Sequence, residues 1–182
     1  MLNQCAIELH NNWYQRAQDI DTTTLHGVFE KFTTLFVIYN NLYNNVEIAL
    51  IANNIPVPNR IYDNKLATNL VLKLLGGEEI MTALAGNNRG INIMVQLIRD
   101  EEFYINLHFG ERQRNEDLLI LAGLESNDPD RKALAILKVI YHVRCNLVHG
   151  HKNFVQYQER LLTPLTNILL VLVDLLYEEL NR

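Results

Sequence analysis

Residues 139–153 read Val-Ile-Tyr-His-Val-Arg-Cys-Asn-Leu-Val-His-Gly-His-Lys-Asn. No other stretch gathers so many groups able to steady a phosphate and move a proton. Arg144 carries a planar, permanently charged fork of donors that fits phosphate oxygens. His149 has a side chain that titrates near neutral pH. Together they form a minimal set for cutting an RNA phosphodiester without metal. The guanidinium stabilises the charge that develops at phosphorus, and the imidazole serves as base or acid. Asn146 is the candidate for orienting the pair. His151 and Lys152 are candidate phosphate contacts. Cys145 has no separate base or oxyanion hole beside it and reads as a small buried residue rather than a nucleophile.

Plainer readings exist for each residue. Arg144 would pair with a nearby carboxylate, and His149 would cap a helix C-terminus, where a cation meets the negative end of the dipole. Lys152 would be a solvated lysine. His142 and His149 are seven apart and so share a helix face, with His151 close by. No carboxylate or cysteine at suitable spacing completes a ligand set, so no metal or other cofactor is expected.

These residues need an element to hold them. Asp128-Pro-Asp130 is the clearest helix start in the chain: an N-cap, a proline for the first helical position, and a negative charge at the positive end. The spacing predicts a motif-bearing helix over about 128–150, with Leu134, Leu137, Ile140 and Tyr141 inward and Gly150 as terminator. A second long helix is expected over about 22–53, begun by the Asp21–Thr24 cap cluster. Phe32, Phe36, Tyr39 and Tyr43 form one stripe down it. Asn40, Asn44 and Glu47 form a polar stripe, which either faces water or lines the cleft under Arg144. In the latter case Asn40 and Asn44 contact substrate.

The remaining elements follow from the same periodicities. A first helix covers about 2–18, with Ala6, Ile7, Trp13 and Tyr14 inward, and a proline loop covers 55–60. Helices follow over about 64–75, ended by Gly76-Gly77, and over 78–85. A further helix is expected over about 91–107. A charged break over 109–117 holds Arg112 and Arg114. They either approach RNA phosphates or are balanced by Glu111, Glu116 and Asp117. A short apolar helix over 118–124 and a last helix over about 156–180 complete the set, with Pro164 a kink or a first turn. No hairpin or βαβ pattern is legible, so the expected fold is all-α, a single domain over 1–182.

Composition sets the outer limits. Hydrophobic residues make up 48% and charged residues 20% of 182, which is ordinary for a globular domain and enough for a core without staples. The net charge of −5 opposes general coating of nucleic acid and leaves room for one local basic site. Cys5 and Cys145 fit no disulfide framework, so a reducing cytoplasm is the expected setting. The N-terminus has no secretory pattern. The longest apolar run, Ile168 to Val173, is stopped by Asp174 and falls short of the ~20 residues that span a bilayer, so no membrane is expected.

Arg144-Cys-Asn-Leu-Val-His149, followed by Gly150 and Lys152, resembles the Arg-x4-His motif of HEPN domains. The 32–43 segment (Phe-Thr-Thr-Leu-Phe-Val-Ile-Tyr-Asn-Asn-Leu-Tyr) resembles the long early helix of that family. The family usually carries a polar residue directly after the arginine; here that place is Cys145, with Asn146 one further on. The resemblance implies a HEPN-like helical bundle with additional short helices. It also implies a metal-independent endoribonuclease: the ribose 2′-OH attacks its own 3′ phosphate and leaves a 2′,3′-cyclic phosphate and a 5′-OH. Such enzymes resemble toxin–antitoxin or antiviral defence effectors, which implies RNA as substrate and an antitoxin protein as partner. A spacing of five separates two residues by roughly 140° around a helix. The resemblance implies a homodimer in which two motifs build one composite cleft across a two-fold axis. Two alternatives stand beside it: a catalytically silent HEPN-like module that binds a nucleotide, RNA or protein, and a helical subunit whose motif is coincidence.

Overall fold

The computed structural model describes residues 2–108, 111–148 and 159–182. Almost all regular structure among them is helical, as the all-α reading expects. Helix α1 (Gln4–Asp19) begins at Asn3, whose side chain accepts from the Ala6 amide. Helix α2 (Leu25–Tyr43) begins at Thr24, which accepts from the Gly27 amide. These caps satisfy amides that have no partner inside their own helix.

The expected single helix over 22–53 breaks at Asn44-Asn45, and α3 (Val46–Ala52) follows. Asn45 is the cause. Its amide bonds the Leu42 carbonyl and its side chain bonds the Asn41 carbonyl, the competition with the helix ladder that asparagine favours. Residues 63–75 form one helical rod made of α4 (Asp63–Lys65), a π-wound turn (Leu66–Leu70) and α5 (Val71–Leu75). The Tyr39 hydroxyl donates to the Ala67 carbonyl inside that turn at 2.5 Å, so the looser winding serves a buried phenol. Gly76, at φ +81, ends the rod, and α6 (Gly77–Ala83) starts at once.

The expected helix over 91–107 is the largest departure. Helix α7 (Asn88–Arg99) stops at Arg99, Glu101 turns left-handed at φ 59, and 103–106 is neither helix nor strand. Side chains from further on hold this exit open. Arg114 donates to the Ile98 carbonyl at 2.7 Å, and the Phe103 amide takes the Leu97 carbonyl. Fully buried Asp117 accepts from the Ile105 and Asn106 amides and from the Asn106 side chain. The strap ends in a two-residue antiparallel pair, β1 (Leu107–His108) with β2 (Glu111–Arg112), a small hairpin that no sequence pattern announced. Helix α8 (Arg114–Leu124) follows.

Helix α9 (Pro129–Val148) starts as its signal requires. Asp128 accepts from the Asp130 and Arg131 amides at 2.9 and 3.2 Å. Its inward face is Ala133, Ile136, Leu137, Ile140 and Val143; Leu134 and Tyr141 are only half-buried. Helix α10 (Glu159–Asn181) contains Pro164 inside it. By length and composition α10 is apolar enough to cross a membrane, though half of its apolar window is buried in the fold. Leu165, Ile168, Leu169, Leu172, Val173 and Leu176 have no exposed surface. It lies along α2 and α7, while α1 covers α2 and α6 and α8 flank α9.

Candidate functional site

Helix α9 carries its apolar face up to Val143 and then presents Arg144 at the rim of the core, half-buried. The guanidinium carbon lies 5.2 Å from the centre of the Phe36 ring. Phe36 is itself buried on α2, so the arginine rests on a fixed aromatic platform. Arg144 makes no ion pair within 4 Å among the described residues. Among the described residues it is within hydrogen-bond range of the Cys145 sulfur, 4.0 Å from Nη1.

A carboxylate is bonded to a phenol on which the charge of Arg144 acts. Asp63, in the first turn of the 63–75 rod, accepts from the Tyr43 hydroxyl at 2.9 Å and from the Tyr141 hydroxyl at 2.8 Å. Burial, then the bond to Asp63, push the Tyr43 phenol well above its ordinary range, while the charge of Arg144 pulls it down. Burial, then Asp63 and Cys145, raise Tyr141 in the same way. Both phenols therefore keep their protons and act as donors. Each oxygen of Asp63 accepts one of these bonds, and the guanidinium makes no ion pair with it.

Asn40 lies four residues after Phe36 and three before Tyr43, hence on the same α2 face as both, and is half-buried. Asn44 is exposed and forms the C-cap of α2, its amide bonding the Asn40 carbonyl. Asn146 is 5% exposed, and its side chain donates to the Ile105 carbonyl at 2.8 Å. That bond ties the end of α9 to the strap. His149, His151 and Lys152 lie outside the described residues. His142 is described: burial and the charge of Lys138 lower its pKa against the pull of Asp117 and Glu116. The metal reading of the three histidines needs His149 and His151 and so also lies outside.

The charged break is engaged within the fold. Arg114 holds the Ile98 carbonyl and pairs with Glu101 at 3.3 Å. Arg112 stacks on Tyr104, 3.8 Å above its ring, and donates to its hydroxyl. Neither is balanced by Asp117, which serves backbone amides. Sequence reading named Phe36, Tyr43 and Tyr141 only as core positions and passed over Asp63. One signal was available: a core tyrosine needs a partner for its hydroxyl. Nothing in the sequence said that two of them share one.

No family profile, no curated protein and no solved structure matches this chain.

Proposed function

We propose that the protein is a metal-independent endoribonuclease of HEPN type. The observation that carries this reading is the state of Arg144: on an aromatic platform, at the end of its helix, with no carboxylate partner among the described residues. A cation held in this way is available to a phosphodiester. His149 follows α9 by one residue and is the group that moves the proton, taking it from the 2′-OH or giving it to the leaving 5′ oxygen. Arg144 holds the charge on the non-bridging oxygens. Asn146 acts at a distance: by fixing the strap on α9 it keeps the arginine in register, rather than touching substrate. Asn40 stands on the platform face, within reach of a ribose. Lys152 and His151 supply further phosphate contacts.

The active form on this reading is a homodimer, because two copies double the positive charge in one cleft. Support comes from α2–α3. Val37, next to Phe36, is 39% exposed, and Ile48 and Ile51 are 68% and 55% exposed. A toxin or antiviral effector with a cognate antitoxin, acting in the cytoplasm, is the setting this chemistry fits.

A second reading has an observation of its own. Asn146 is buried and engaged, and Cys145 offers no polar contact beyond its neighbours. A silent module would keep Arg144 as an anion contact and bind RNA without turnover. Digestion of RNA by the protein and by Arg144→Ala and His149→Ala separates the two. Loss of cleavage with RNA binding kept in both variants supports the nuclease. Binding by the intact protein with no cleavage supports the silent module.

A further inference from the structure

Helix α8 is apolar on two faces. Ile120, Leu121 and Leu124 are buried in the fold, while Leu118 and Leu119 on the other side are 44% and 68% exposed. A helix that is apolar all round is ordinarily covered all round. Beside Leu119 a groove of about 130 Å3 runs between α8 and α9. Gly123 and Ala135 line it where the two helices meet, and a Cβ on Gly123 would lie 2.7 Å from the Ala135 Cβ, so the close approach needs the glycine. Arg131, Leu134 and Lys138 recur at i, i+3 and i+7, so one stripe of α9 forms the wall opposite Leu119.

The charge on this groove is one-sided. Arg131 and Lys138 make no ion pair among the described residues. No acidic residue lines the groove. Carboxylates on α8 and at the start of α9 are engaged elsewhere: Asp117 holds the strap, Glu125 pairs with Arg99, Asp128 caps α9 and Asp130 accepts the Gly77 amide. Glu116 acts on His142, one turn beyond Lys138. In a chain of net charge −5, two such cations beside exposed leucines reverse the sign locally. Size narrows the occupant further. Small-molecule sites usually span about 300–1,000 Å3, whereas a cavity of ~150 Å3 holds one benzene ring. This groove therefore takes about one side chain. A nucleobase would need a ring to stack on, and none lines the groove.

We propose that the α8–α9 groove docks an acidic amphipathic helix of a partner protein. An aliphatic side chain of the partner enters between Leu119 and Leu134, the anchor of a helix laid in a groove. The partner's apolar face continues over Leu118. Two of its carboxylates, two turns apart, meet Arg131 and Lys138, which stand about 10 Å apart along α9. Neither Arg144 nor the α2–α3 edge lines this groove, so the inference stands apart from the ribonuclease reading.

The test is fluorescence anisotropy with a labelled peptide of about 20 residues, long enough to hold a helix. It carries leucines on one face and, beside them, two glutamates two turns apart. A second peptide has lysines in place of the glutamates, and a labelled RNA decamer is the third probe. The intact protein should bind the acidic peptide about tenfold or more tightly than the basic one. Arg131→Glu with Lys138→Glu should reverse that order, because like charges then face each other. Arg131→Glu alone, at an exposed position, should narrow the preference about threefold. Leu119→Ser should weaken the acidic peptide about fivefold, as apolar contact is lost. Melting of each variant within a few degrees of the parent confirms folding. Failure of the intact protein to bind the acidic peptide overturns the proposal. So does equal affinity for the two peptides, or an order that charge reversal leaves unchanged. RNA held by Arg131 and Lys138 in place of the acidic peptide overturns it as well.

Discussion

Asp63 accepts from two phenols, one of which feels the charge of Arg144, and makes no ion pair with that arginine. The two phenols that hold Asp63 sit on α2 and α9 and the carboxylate sits on the 63–75 rod, so three elements meet at one oxygen pair. Removing both hydroxyls, Tyr43→Phe with Tyr141→Phe, leaves that carboxylate free to turn to the nearest cation. RNA cleavage by the double variant should fall at least tenfold as a new ion pair competes for the guanidinium. Adding Asp63→Asn should restore most of it, because the competing charge is gone. Stability should fall in the double variant by about 1.5–3 kcal/mol for each bond to a charged acceptor; urea melts measure this. Equal cleavage in double and triple variants would separate Asp63 from the arginine. This arrangement was half legible. The Arg-x4-His spacing and the Phe36–Tyr43 stripe stand in the sequence. Asp63 does not, because it lies 81 residues before Arg144 and follows no local pattern.

At the scale of elements, the strap at 103–106 shows how a plausible periodicity fails. Ile91, Met94, Val95 and Ile98 repeat as a helix, and the pattern continues to Ile105 in name only. Phe103 and Ile105 are buried while Tyr104 is not, an alternation of period two rather than a helical one. The outcome is decided by Arg114, Asp117 and Asn146, all later in the chain than the segment they hold. Replacing Asn146 by alanine leaves the buried Ile105 carbonyl without its donor and should cost about 1–3 kcal/mol. Amide exchange at residues 105 and 106 should quicken, and a stabilised strap in that variant would contradict the role given to Asn146. The α1–α10 contact carries a pH dependence. His10 is buried between Tyr14 and Tyr177, with ring centres 5.2 and 3.6 Å away, and its Nε2 has no hydrogen-bond partner among the described residues. Burial lowers its pKa from 6.5, against smaller upward pulls from Asn11 and the nearby Asp174. The unfolded chain then binds the proton more readily, so this contribution to stability is full above pH 6.5 and is lost as pH falls through the lowered value. The Tm should drop between about pH 7.5 and 5.5. His10→Phe, which keeps the stack, should make the drop shallower but not abolish it, since His142 is shifted the same way. Asp174, raised by burial and flanked by Glu178, acts in the opposite sense as pH falls from the upper end of its own window. A melting profile with the same slope in the variant would remove His10 as the cause.

At the scale of the molecule, the helical class was legible because the apolar stripes of α2, α9 and α10 are long and their caps explicit. Burial follows those stripes on α2 and α10, while on α9 Leu134 and Tyr141 stay half-buried. Pairing between helices was not legible, since it depends on fit: Gly90 against Pro164, and Gly77 against Asp130, whose carboxylate accepts the Gly77 amide at 2.9 Å. Nor does any stripe announce which apolar residues stay outside. Ile48 and Ile51 do, and the dimer reading takes them as the covered edge. Ile48→Glu should shift the protein towards monomer in light scattering and reduce cleavage in parallel, with the Tm of the protomer within a few degrees of the parent, as for an exposed substitution. Monomeric parent protein with full activity would remove the two-fold cleft.

The central claim is that the RNA's own 2′-OH, not a metal-bound water, breaks the chain at Arg144 and His149. The most direct measurement is mass spectrometry of the ends left when RNA is digested in excess EDTA. The account predicts cleavage, with a 2′,3′-cyclic phosphate on one product and a 5′-OH on the other. Products bearing a 5′ phosphate, or cleavage that appears only when a divalent metal is returned, would contradict it.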